Sequence, residues 1–293
     1  MTYDEALEYL NSLGKFGIRL GMERVEGLLR ELGNPETKFK SVHITGTNGK
    51  GSVASMITNI LLASGLHVGK FTSPHLVKYN ERIELNGKDI SDADFANLIE
   101  RTKVAADEVI RKGVCDQPTQ FEVLTAAAFL FFSEQKVDYA VIEVGLGGLW
   151  DSTNVITPVV SVITNVALDH TDRLGKDLPH IAMQKAGIIK EKVPLVCGAE
   201  GEETLGPIVS FAMFRQAPVY LYGKAFHGEE KISSMAGQTF TLCAGDTYKS
   251  DYEIQLPGEH QIKNASLAIV AAKLVSKQDD RINEVALHIG VAH

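Results

Sequence analysis

The chain has 293 residues, 44% of them hydrophobic and 23% charged, with a formal charge of −8, the make-up of a soluble globular protein with a substantial core. That acidic balance disfavours nucleic acid or another polyanion as a partner, while leaving room for a local basic pocket that takes a small anion. No apolar run is long enough to span a bilayer, the acid-bearing start MTYDEALEYLNSL does not read as a secretion signal, and the scattered Cys115, Cys197 and Cys243 suggest reduced thiols in a cytoplasm rather than a disulfide framework or zinc site.

Helical spacing predicts helices over 3–13 and 22–32, the second carried by Val25, Leu28, Leu29 and Leu32. A short apolar strand over 41–45 leads into a glycine loop. A helix over 52–64 follows, with Val53, Met56, Ile57, Ile60 and Leu61 on one face. Further strands are expected at 67–72, 138–144, 158–164 and 194–197, and helices at 91–112, 119–135, 177–190 and 203–215. Buried-type strands alternating with helices give an α/β fold, a mostly parallel sheet wrapped on both faces. From 238 to 256 the pattern changes to a small antiparallel β segment, and helices over 262–276 and 281–290 close the unit.

The glycine loop at 46–52, within "HITGTNGKGS", is a shortened relative of the phosphate loop G-x-x-x-x-G-K-[ST]. Glycines let successive N–H groups close around phosphate oxygens, and the following helix start adds partial positive charge. Lys50 can reach terminal phosphates, and Ser52 offers a hydroxyl. The bland alternative is an ordinary glycine turn between strand and helix. A second cluster, "VIEVGLGGLWDSTN", fails as a dinucleotide fingerprint: Trp150 holds the third glycine position, and a strand follows instead of a helix. What remains there is Glu143 at a strand end, where a carboxylate can hold Mg²⁺ beside a phosphate loop. Ser73 in "FTSPHL" and His170 in "TNVALDHTDRLG" also follow strands. All three therefore belong to the sheet edge where doubly wound folds bind ligands.

Together these runs resemble the folylpolyglutamate synthase/dihydrofolate synthase family of Mur-type ATP-dependent amide ligases. The match extends through "GMERVEGLLRELGNP", "HITGTNGKGSV", "FTSPHLVKYNERI", "TQFEVLTAAAF", "VIEVGLGG", "DSTN", "LDHTDRLG", "KAGIIK" and "GEHQIKNASLA", in the family's order. The resemblance implies a Mur-ligase central-domain fold and ATP-driven amide synthesis, in which a folate γ-carboxylate is phosphorylated and then attacked by the amine of L-glutamate. Dihydropteroate is the alternative acceptor, and the chain is expected to be a cytoplasmic monomer with no nucleic-acid or membrane partner.

By the same resemblance, Thr47, Asn48, Gly49, Lys50, Gly51 and Ser52 cradle ATP, and Asn264 contacts the nucleotide. Its plain reading is a helix cap. Ser73, Glu143 and His170 are the implied Mg²⁺ ligands. Lys185 matches a lysine carrying a carbamate and, with Lys50 and His170, makes up the implied catalytic set. Thr119, Gln120, Phe121 and Glu122 match a pterin-side segment, and Trp150, Asp151 and Ser152 a flexible loop over the substrate. Leu149 stands where the family often has arginine, and Gln184 where it usually has glutamate. Family members continue into a C-terminal Rossmann-like domain holding much of the glutamate site, so residues 1–293 are expected to form the ATP-binding domain alone and, by themselves, to be inactive in ligation. The alternatives are another Mur-type ligase, a P-loop kinase or NTPase, and a non-catalytic nucleotide-binding module.

Overall fold

The computed structural model describes residues 1–14, 21–234 and 237–292. In chain order its elements are α1 (Tyr3–Leu13), α2 (Glu23–Glu31), β1 (Lys40–Thr45), α3 (Lys50–Ala63), β2 (Val68–Phe71), β3 (Ile83–Leu85), β4 (Lys88–Asp89), α4 (Asp92–Arg111), α5 (Gln120–Glu134), β5 (Tyr139–Glu143), β6 (Val160–Ile163), α6 (Thr171–Leu174), α7 (Leu178–Ala186), β7 (Leu195–Cys197), α8 (Glu202–Phe214), β8 (Val219–Leu221), β9 (Phe226–Ser234), β10 (Gly237–Ala244), β11 (Tyr248–Ile254), α9 (Glu259–Val275) and α10 (Glu284–Val291).

Local chemistry sets many of these boundaries. Thr2, Ser91, Thr119, Asp177 and Asn283 each cap a helix through a side-chain oxygen, satisfying one of the orphan amides of a first turn. Helix α3 differs: Gly49 precedes it at φ 80° and no side chain caps it. Its first amides therefore have no side-chain partner among the described residues.

The main sheet runs β4-β3-β2-β5-β1-β6-β7-β8, parallel except for the antiparallel edge made by β3 and β4. Strand β1 lies between β5 and β6, so the loops that follow these strands meet at one edge. Alternation divides the side chains between two faces. Val42, Ile44, Val141 and Val162 join α3, α9 and α10 in one core. Ala140, Ile142 and Phe71 pack against α1, α2, α4 and α5 in a second. A smaller cluster seats α7 and α8 against β6 and β7.

Two expectations change. The antiparallel segment is longer than 238–256, because β9, the polar run FHGEEKISS, pairs with β10 from 226 onward. Most of β9 is exposed, so it carries no apolar signal. Its sheet shares the first core through Phe226, Phe240, Leu242 and Tyr252. The helix expected over 177–190 stops at Ala186 before Gly187, and α6 precedes it as a separate turn.

Candidate active site

The glycine loop leaves β1 with Gly46 at φ 156° and Gly49 at φ 80°. A Cβ on Gly46 would sit 1.8 Å from Thr164 Oγ1, and one on Gly49 would sit 2.6 Å from Asn264 Oδ1. Both glycines are thus required by close approach as well as by backbone angle. Lys50 Nζ donates to the carbonyls of Gly46 (3.1 Å) and Thr47 (3.2 Å). That uses two of its three protons and leaves a third for an anion. Asn264 lies inside α9, which Gly258 precedes, so it is not a cap; its Nδ2 donates to Gln261 Oε1 at 2.9 Å.

The amides of Thr47 and Asn48 are already engaged. Both donate to Asn165 Oδ1, at 3.0 and 2.9 Å, and Thr47 N also approaches the Asn165 carbonyl at 3.2 Å. Thr47 Oγ1 donates to the Ala167 carbonyl and accepts from its N–H. The Thr164 hydroxyl donates to Asn48 O at 2.6 Å. These partners were not singled out in the sequence. Their signal was the "TN" opening the run that carries His170.

Glu143 ends β5 and is 4% exposed. Ser73 N–H lies 3.4 Å from its Oε2, and a Cβ on Gly51 would lie 3.9 Å from the same oxygen. Burial pushes the Glu143 carboxyl up to about 7, against the opposing pull of the Lys50 charge. A carboxylate held this far from water favours a cation beside it. Glu143, the Ser73 hydroxyl and the His170 imidazole offer the oxygen and nitrogen donors suited to Mg²⁺ with retained waters, so the residues fit such an ion. His170 has a left-handed backbone (φ 46°) and a half-exposed side chain. Lys185, near the end of α7, shares a small cavity with Lys50, Asp169 and His170. Burial first, then the Lys50 charge, lowers its ammonium to about 7. Among the described residues nothing forms an ion pair with it.

Lys50, Ser73 and His170 open onto a cleft of about 670 Å³ lined also by Phe121, Trp150 and Arg82. The cleft thus brings Lys50, Ser73 and His170 together with the pterin-side residues 119–122, while Glu143 is not among the residues that line it. Several of the pterin-side residues also hold the fold. Thr119 and Glu122 form a capping box at the start of α5, and Glu122 meets Arg24 Nε at 3.0 Å, both buried. Gln120 Nε2 donates to Tyr79 Oη and to the Leu10 carbonyl. Phe121 lies 5.8 Å from Phe71, ring to ring. Of the expected substrate loop, only Trp150 is exposed. Asp151 and Ser152 are buried, and Asp151 accepts from Leu146 N, Thr153 N and Thr153 Oγ1. That loop is a braced wall at Asp151. Arg82, overlooked in the sequence, brings a cation into the cleft while its Nε donates to His75 Nδ1 at 2.8 Å. Another metal-capable group, His227, Glu229 and Cys243, lies on the small sheet and lines no part of the cleft.

Residues 44–272 match the Mur ligase middle domain family. The dihydrofolate synthase/folylpolyglutamate synthase of Bacillus subtilis is 39% identical over 294 residues, covering 99% of this chain and 68% of that protein. The folylpolyglutamate synthase of Lacticaseibacillus casei is 39% identical over 280 residues, covering 96% and 65%. Among solved structures, the apo form of L. casei FPGS superposes with a TM-score of 0.94 at 38% identity, over all of this chain and 72% of that one. An FPGS–AMPPCP complex gives 0.93 at 38% identity, over all of this chain and 71% of its own. The chain spans about two thirds of the length of these relatives. Among its described residues, no helix is long and apolar enough to cross a membrane.

Proposed function

Because the chain belongs to the folylpolyglutamate synthase/dihydrofolate synthase family of Mur ligases, we propose that it binds ATP and a folate for the joining of L-glutamate to the folate γ-carboxylate. The observation that carries this reading is one sheet edge holding a phosphate loop, a buried carboxylate and an aromatic-walled cleft. The names of the neighbours agree, since solved relatives include an FPGS–AMPPCP complex and an FPGS–AMPPCP–folate complex.

In this proposal the amides at the start of α3 and the third Lys50 proton receive the ATP phosphates. Ser73, Glu143 and His170 would hold Mg²⁺, which when bound neutralises charge on the transferring phosphoryl group. A γ-carboxylate oxygen bonds to the γ-phosphorus as the bridging P–O bond breaks, giving an acyl phosphate and ADP. The glutamate amine then adds to the acyl carbon and loses a proton as inorganic phosphate leaves. The protein's part is alignment and charge. Phe121 and Trp150 offer ring faces to a pterin, and Arg82 offers a cation to a substrate carboxylate. Lys185 is a candidate for carbamylation: near neutrality it carries a large fraction of free amine, the form that bonds to CO₂ with release of a proton. Dihydropteroate is a second acceptor consistent with the bifunctional name of the B. subtilis relative.

The deciding measurement is ADP release by the full-length protein with tetrahydrofolate or dihydropteroate, with and without glutamate. Release that requires both the pterin and glutamate supports the ligase. Turnover indifferent to the pterin would turn the site into that of a plain NTPase.

A further inference from the structure

Phosphate loops hold anions with backbone amides, and an amide hydrogen well aligned on one acceptor is not available to another. In this loop the amides divide into two groups. Those of Thr47 and Asn48 both donate to Asn165 Oδ1, at 3.0 and 2.9 Å, the Thr47 amide being shared with the Asn165 carbonyl at 3.2 Å. For those of Gly49, Lys50, Gly51 and Ser52 no acceptor is found among the described residues. The same stretch of chain grips the loop elsewhere too: through the Asn165 carbonyl to Thr47 N–H, through the Thr164 hydroxyl to Asn48 O and through the reciprocal bonds of Thr47 Oγ1 with Ala167.

We propose that Asn165 is a positioning residue whose amide oxygen permanently occupies the first two donors of the phosphate loop. The anion is then left to the following four amides and Lys50. The proposal rests on the ATP-binding reading above. The residue type matters. A neutral carboxamide oxygen satisfies both donors without setting a negative charge beside incoming phosphates, whereas a carboxylate there would repel them. The clamp also joins the loop to the segment carrying Asp169 and His170, so phosphate cradle and metal edge hold a fixed relation before substrate arrives. Preorganisation of this kind lowers the ordering cost of binding.

Residue-by-residue amide exchange by NMR, without and with AMPPCP, tests the assignment together with calorimetry on Asn165→Ala and Asn165→Asp. In the wild-type chain the Thr47 and Asn48 amides should exchange slowly before nucleotide and change little on its addition, while those of Gly49 to Ser52 slow when AMPPCP binds. Asn165→Ala should free the Asn48 amide, leave the Thr47 amide only the backbone carbonyl of residue 165, and weaken AMPPCP by about tenfold, with little change in melting temperature. Asn165→Asp should keep those amides protected yet still weaken binding, a pattern that lost structure alone would not give. Fast exchange at Thr47 and Asn48 that slows only with AMPPCP would overturn the proposal, as would wild-type affinity in Asn165→Ala. A wild-type chain that fails to bind AMPPCP would instead overturn the nucleotide reading, and exchange in the nucleotide-free protein would still decide whether the clamp exists.

Discussion

Lys50 is held by two carbonyls of its own loop, an arrangement that aims its charge without needing a partner from the core. Lys50→Ala should therefore weaken AMPPCP by about tenfold to a hundredfold, the cost of a charge-assisted bond of roughly 1.5–3 kcal/mol, and leave the melting temperature nearly unchanged. Calorimetry alongside a thermal scan checks both halves. His43, on β1 just before the loop, carries the opposite kind of prediction. Thr153 Oγ1 donates to Asp151 Oδ1 and lies 2.9 Å from His43 Nε2, so Nε2 must be the protonated nitrogen and Nδ1 is left without a partner. Burial, then the Lys190 charge, depresses the imidazole to about 3. The unfolded chain binds a proton at this residue from its ordinary value of 6.5 downward, and the folded chain does not. Stability from His43 is thus intact above 6.5 and lost as pH falls toward 3, by at most about 1.4 kcal/mol per pH unit. Urea unfolding across that range should slope less steeply in His43→Gln, which can still donate to Thr153.

At the scale of elements, α5 shows how one run can frame a site and hold the fold together. Its N-terminal residues face the cleft, yet Glu122 satisfies the Thr119 N–H in the capping box and pairs with Arg24 from α2. Removing Glu122 strips Arg24 of its buried partner but leaves it Glu23 Oε1 at 2.8 Å. Glu122→Ala should cost about 1.5–3 kcal/mol in urea unfolding, the loss of charge-assisted hydrogen bonds, against about 1 kcal/mol for Thr119→Ala, which removes only a cap. If the two changes cost the same, the Arg24 contact contributes little. Burial raises the Glu122 carboxyl despite that pair, consistent with desolvation being the larger effect.

Across the whole molecule, the phosphate-loop helix is the element on which the layers converge. Helix α3 packs on β1 and β5 below it and on α9 and α10 beside it. The contact with α10 is backbone against backbone, since a Cβ on Gly290 would lie 2.3 Å from Ile60 Cα and 2.7 Å from the Asn59 carbonyl carbon. Neither atom belongs to a side chain that can swing away. Gly290→Ala should then destabilise the chain by about 1–3 kcal/mol through overpacking. It should also weaken AMPPCP although Gly290 touches no part of the cleft, because tilting α3 moves its N-terminal amides. Unchanged affinity in a destabilised Gly290→Ala would mean that the helix start is fixed by the loop and clamp alone.

The sequence by itself determined the elements and the chemistry that short spacing encodes. Strand, glycine loop and helix over 41–64, the helix starts at 119 and 177, and the strand-end residues Ser73, Glu143 and His170 could all be read because apolar period, turn residues and loop composition are local properties. The family followed from the same runs. Strand order was another matter, since β5 enters between β1 and β2 only when the whole sheet is assembled. So was β9, whose exposed polar residues gain their place by pairing with β10. The tertiary structure alone decided what each site residue is bonded to. Asn165 lies more than a hundred residues from the amides it holds, and no spacing rule reaches that far. Asp151 was expected in a mobile loop and is instead a buried brace. A side chain's residue type fixes which bonds it can make; only the folded chain, by excluding water and bringing distant backbone within 3 Å, selects which of them it does make.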